Sequence, residues 1–101
     1  MPTSRATLFT KENCAPCLNT KKYLFDNFYQ DEGDQRLLDV LTVMRKEDHP
    51  ALISAFEIDK YPTLIVQLDG KEFDRFVGGK SIRANLRYIL ACLAAYNYTN
   101  Q

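Results

Sequence analysis

Two cysteines set three residues apart, in the run Cys14-Ala15-Pro16-Cys17, are the side chains of this sequence best placed to do chemistry. They fall between a short strand-like run and a helix-like one. Positions three apart in a first helical turn share a face, close enough for a disulfide. The first cysteine meets the unpaired N–H groups and positive end of that helix, which favours its thiolate at neutral pH. Lys11, three residues ahead, adds a positive charge beside it. Pro16 fits a first turn, where its missing N–H costs no hydrogen bond. The chemistry expected is thiol–disulfide exchange: Cys14 attacks a substrate disulfide, a mixed disulfide forms, and Cys17 resolves it.

A metal site is the alternative. The third cysteine, Cys92, and the sole histidine, His49, complete a Cys₃His set with the close pair. Structural zinc sites usually show two paired spacings, and here there is one. Cys92 falls inside an expected helix as a small apolar filler, and His49 stands at an expected helix start. Spacing favours redox chemistry with no metal. An odd cysteine count also argues against a secreted disulfide scaffold.

The rest of the composition narrows the field. The chain has 101 residues, enough for a single domain over 1–101. Thirteen basic and thirteen acidic residues balance, which argues against a nucleic-acid binder. Apolar residues make up 46 %, sufficient for a core. No apolar run approaches the roughly 18–20 residues that cross a bilayer. A soluble, cytoplasmic monomer is expected.

Seven elements are expected to position the cysteines. Ala6–Thr10 reads as a strand ending at the turn Lys11-Glu12-Asn13. Cys17–Tyr29 reads as a helix with Leu18, Leu24, Phe25 and Phe28 as its apolar residues. An acidic turn, Asp31-Glu32-Gly33-Asp34, follows. Leu37–Val40 reads as a second strand, with helix through Met44 as the alternative. Asp48-His49-Pro50 starts a helix that Lys60-Tyr61-Pro62 closes. Thr63–Leu68 and Glu72–Val77 flank Asp69-Gly70, a hairpin signal. After Gly78-Gly79, Ser81 caps a last helix with the stripe Ile82, Leu86, Ile89, Leu90, Leu93. The order is βαβαββα, an α/β fold with a four-stranded mixed sheet and helices on both faces.

These residues together resemble the thioredoxin superfamily, at glutaredoxin size, from about Arg5 to Leu93. Thr10-Lys11-Glu12-Asn13-Cys14 is similar to the glutaredoxin run of Ser/Thr, Lys, two residues and Cys. That likeness implies a lysine flanking the thiolate and helping to hold glutathione. Cys-Ala-Pro-Cys is closer to the thioredoxin Cys-Gly-Pro-Cys. Tyr61-Pro62-Thr63 resembles the superfamily's cis-proline loop, and Val77-Gly78-Gly79 its glycine turn. The resemblance implies a substrate groove formed by Ala15, Pro16, Tyr61, Pro62, Gly78 and Gly79, with the substrate chain pairing at Tyr61 like an added strand. Three departures stand out. Asn13 occupies the position where thioredoxins have Trp, Leu8 that of their buried Asp, and Ile82 that of the Asp with which glutaredoxins hold glutathione.

The reading is a dithiol electron carrier that reduces protein disulfides, ribonucleotide reductase among the acceptors the resemblance suggests. Cys14 is the nucleophile, Cys17 the resolving thiol, and Lys11 tunes the thiolate or contacts glutathione. No bound cofactor is implied. Electrons come from thioredoxin reductase and NADPH or from glutathione. The alternative is a non-catalytic binding module on the same fold.

Overall fold

In the computed structural model, residues 4–29 and 41–99 are described. The expected acidic turn at 31–34 and the expected strand at 37–40 lie outside them.

Strand β1 (Ser4–Thr10) is buried along nearly its whole length, as a strand with neighbours on both edges must be. It pairs in parallel with β2 (Leu41–Arg45), Ala6 opposite Leu41, and antiparallel with β3 (Thr63–Leu68), Phe9 opposite Thr63. Strand β4 (Lys71–Val77) pairs antiparallel with β3, giving the order β2-β1-β3-β4. The described second strand thus begins immediately after the expected Leu37–Val40 and runs to Arg45. Leu41, Val43 and Met44 carry its apolar character, and over 41–44 the helical alternative is excluded.

The hairpin between β3 and β4 turns at Asp69 (φ 53°) and Gly70 (φ 81°). Both central residues take positive φ, which a type I′ turn requires and which Asp and Gly tolerate. A bulge breaks the register, since Val66 faces Asp74 but Gln67 faces Glu72. Phe73 is the extra residue, and it is exposed.

The sheet separates two cores. On one face Ala6, Leu8, Leu64 and Val66 pack with Leu24 of α1 (Ala15–Tyr29) and with Ile82, Leu86, Ile89 and Leu93. On the other, Phe9 and Ile65 meet Ile58, with Leu52 and Ile53 of the short helix α2 (Pro50–Ala55). Helices therefore lie on both faces. The expected last helix is divided into α3 (Gly79–Ala84) and α4 (Leu86–Thr99), joined through Asn85. The Asn85 N–H donates to the carbonyls of Ser81 and Ile82, and its own carbonyl accepts from Ile89. The apolar stripe continues across the break. Ser81 lies inside α3 rather than capping it, because Gly78, at φ 91° and ψ 148°, takes the cap position.

Candidate active site

The C-terminal end of β1 and the N-terminus of α1 hold Cys14 and Cys17. The Cys14 carbonyl accepts the first helical hydrogen bond, from Leu18 N–H at 3.2 Å, so Cys14 is the N-cap of α1. Its Sγ accepts the N–H of Cys17 at 3.2 Å, as a serine or aspartate oxygen does at that position. The two sulfurs are joined in a disulfide, with Cα atoms 5.2 Å apart. Cys14 is 7 % exposed and Cys17 2 %, so the first cysteine is the more accessible.

The preceding loop is fastened to β2. Asn13 adopts φ 54°, a left-handed conformation that Asn enters more readily than most residues. The Glu12 N–H donates to the Glu47 carboxylate at 3.2 Å, and Lys46 N–H donates to the Thr10 carbonyl at 2.8 Å. Arg45, bound to Asp48 at 3.0 Å, stands 3.9 Å from Glu12.

On the β3 side lie the residues expected from sequence to form a groove. Phe9 opposite Thr63 brings Lys11 and Pro62 to the same end of the sheet. The Tyr61–Pro62 peptide is cis. The Pro62 carbonyl accepts the Gly78 N–H at 2.8 Å, which joins the proline loop to the glycine turn. A Cβ on Gly79 would lie 2.5 Å from Thr20 Oγ1 and 4.0 Å from the Pro16 carbonyl oxygen, so the start of α3 sits against the start of α1. Tyr61, Pro62, Gly78, Gly79 and Pro16 are thus linked by contacts, with Ala15 exposed beside them. Lys11 reaches these residues, its Nζ 5.8 Å from the centroid of the Tyr61 ring. Burial pushes the Tyr61 hydroxyl pKa up, and the Glu47 and Asp59 carboxylates push it the same way.

Two features escaped sequence reasoning. The first is Lys46, whose Nζ also lies 5.8 Å from the Tyr61 ring. The second is a cleft of about 390 Å³ on the β2 side of the disulfide, with both cysteines in its wall. The lysine arrives through tertiary folding, and no local pattern signals it. The cleft could have been suspected from Asn13, a small side chain at a position where the resemblance expects a large aromatic.

Other expectations resolve on burial. Ile82 is fully buried in the core, so the position expected to hold a glutathione-binding Asp turns inward. Leu8 is likewise fully buried, and no carboxylate is buried among the described residues. The metal alternative does not assemble: among these residues no group of three or more His, Cys, Asp or Glu could hold an ion. Cys92 is a half-buried free thiol on α4. No described helix is long and apolar enough to cross a membrane.

No protein-family model matches the chain, and no curated protein matches it by sequence. Solved structures do match in shape. A Schistosoma mansoni thioredoxin superposes with a TM-score of 0.71 at 16 % identity, covering 86 % of this chain and 76 % of that one. A Fasciola hepatica thioredoxin gives 0.67 at 18 % identity, covering 90 % and 81 %. A mutant thioredoxin from Halobacterium salinarum gives 0.66 at 21 %, covering 89 % and 74 %. With the mixed sheet, helices on both faces and a Cys-x-x-Cys disulfide opening the first helix, this chain has the thioredoxin fold.

Proposed function

We propose that the chain is a thiol–disulfide oxidoreductase, a dithiol carrier that reduces disulfides in other proteins. One observation carries the reading: the Cys14 sulfur caps α1 by accepting the Cys17 N–H, so the helix is built to receive negative charge on that atom. The Cys14 thiolate attacks one sulfur of a substrate disulfide, and the other substrate sulfur leaves as a thiolate that takes up a proton. The Cys17 thiolate then attacks Cys14 Sγ and releases the second substrate thiol. Two electrons pass to the substrate, and Cys14–Cys17 becomes the disulfide seen here.

The residues around the pair fit supporting parts. Tyr61 and Pro62 present backbone to the substrate chain, Gly78 and Gly79 keep the groove free of side chains, and Lys11 sets a cation at its mouth. Electrons come from a thioredoxin reductase with NADPH or from glutathione, and the inward-turned Ile82 favours the first. Ribonucleotide reductase is one acceptor to assay. The chain acts as a cytoplasmic monomer without a bound cofactor.

The test runs both donor systems in parallel on the oxidised protein, following NADPH consumption with a disulfide substrate. Turnover with either supports the carrier and identifies its donor. Cys17→Ser should trap a mixed disulfide visible by mass, and Cys14→Ser should abolish turnover. A binding module would instead keep its function with both cysteines replaced, and such a result overturns the reading.

A further inference from the structure

Helix α1 carries a second apolar stripe that the core leaves uncovered. Its buried side is Cys17, Thr20 and Leu24, spaced by three and four. Leu18 is 69 % exposed, and Phe25, seven residues on and therefore on the same side, is also exposed. Lys21 and Lys22, three and four residues after Leu18, share that side.

The cleft beside the disulfide lies where this stripe meets Cys17. Leu18 and Val43 give it apolar walls, and Lys11, Lys21 and Arg45 set three cations against the single carboxylate of Glu12. Arg45 is already bound to Asp48 and lies within reach of Glu12. Neither Lys11 nor Lys21 forms an ion pair among the described residues. The charge offered to an incoming molecule is therefore positive, next to uncovered leucine and phenylalanine.

We propose that the cleft and the α1 stripe seat an acidic, apolar segment of the partner protein whose disulfide is reduced, an inference that rests on the redox reading above. The partner's reactive cysteine then lies between two contacts, its chain against Pro62 on one flank and its acidic segment in the cleft on the other. The occupant is a protein segment rather than a small molecule because the apolar surface runs on past the cleft. Leu18 to Phe25 spans about 10 Å of helix, beyond the reach of a ligand that fills the cleft alone. Complementary charge at such a rim acts mainly on encounter rate and partner choice.

Two disulfide peptides with the same cystine core test this, one flanked by Asp and Leu, the other by Lys and Ser. Reduced protein at low salt should react about fivefold faster with the acidic, apolar peptide, the scale of one or two exposed charge pairs. In Lys21→Glu the ratio between the peptides should fall to one or below, and Leu18→Ser should lower it further. Taking the ratio within each variant cancels any general change in thiol reactivity. Equal rates in the unmodified protein, or a ratio that Lys21→Glu leaves in place, overturn the proposal.

A second readout needs no turnover: binding of a fluorescent, cysteine-free Asp/Leu peptide to the oxidised protein, read by anisotropy. Binding that weakens severalfold in Lys21→Glu supports the surface, and equal binding of the Lys/Ser peptide overturns it. Bis(2-hydroxyethyl) disulfide separates the two claims. If it is not reduced yet the acidic peptide binds selectively, the redox reading fails and takes the disulfide partner with it, leaving a surface that only binds acidic segments. If it is reduced without any peptide preference, the docking surface fails alone.

Discussion

The Lys11 ammonium lies over the Tyr61 ring at 5.8 Å from its centroid, and Lys46 approaches the same ring at the same distance. Three segments that are distant in sequence meet there: the loop before Cys14, the end of β2 and the cis-proline loop. The aromatic face attracts both cations by its quadrupole, which adds to the backbone and Glu47 contacts that hold these segments together.

The pairing is measurable by a double-mutant cycle on unfolding. Lys11→Met and Tyr61→Leu, singly and together, should give a coupling of about 0.5 kcal/mol, the usual scale for an exposed cation on an aromatic ring. A coupling indistinguishable from zero would show that the two side chains are merely neighbours.

Gly79 leaves no room for a side chain. Gly79→Ala puts a methyl group 2.5 Å from Thr20 Oγ1, and Thr20 is buried, so its side chain must change rotamer or one of the two helices must shift. Chemical denaturation should show a loss of about 1–3 kcal/mol. Adding Thr20→Ala removes the obstructing oxygen, and the double variant should cost less than the sum of the singles.

The Glu72–Arg75 pair gives a pH-dependent contribution. The Arg75 guanidinium hydrogen-bonds Glu72 at 2.7 Å and 2.8 Å and holds its carboxyl below the ordinary range. A carboxylate whose pKa is depressed by folding stabilises above its unfolded value and loses that contribution as the pH falls. Both side chains are about a third exposed, so water weakens the pair. Glu72→Gln should therefore cost about 0.5 kcal/mol at pH 7, and the difference from the unmodified protein should shrink as the pH falls below about 4.3, the ordinary value of an unfolded glutamate. Thermal unfolding at neutral pH and below that value checks the sign.

Leu8 provides a contrasting case. It is fully buried in the apolar core. In Leu8→Asp a carboxyl in this position would resist ionisation, raising its pKa on folding. The cost should be several kcal/mol at pH 7 and should diminish towards pH 4, where the unfolded chain also begins to hold the proton. Urea unfolding across that range should show stability rising as the pH falls, opposite in direction to the Glu72 contribution.

Much of the site was legible in the sequence because it is local. The Cys14–Cys17 spacing determines one helical turn, and Asp69-Gly70 specifies its own turn geometry. The mixed four-stranded sheet and the helices on both its faces follow from such signals. Less was legible where a pattern has two solutions. On α1, the apolar residues Leu18, Leu24 and Phe25 mark a helix without marking its inner side, which is Cys17-Thr20-Leu24, with a threonine supplying the middle contact. Ser81 is a good cap by type, but only Gly78 can adopt the cap conformation seen there. In β4, Phe73 and Phe76 are three apart and cannot share a face of a regular strand. The alternation therefore admits only one of them to the core, and Phe76 is buried while Phe73, the extra residue of the bulge, is exposed. The cleft and Lys46 depend on contacts between distant segments, which no window of sequence contains.

The bulge in β4 also bears on self-association. That strand is an outer edge of the sheet, where unpaired backbone groups invite another chain to add on. An incoming copy would find the hydrogen-bond spacing interrupted at Phe73 and flanked by Lys71, Glu72, Asp74 and Arg75. Fibril growth needs a flat, uninterrupted strand of low charge, and this one is kinked and charged. The same irregularity that leaves Phe73 unpaired in the ladder thereby denies its edge to stacking.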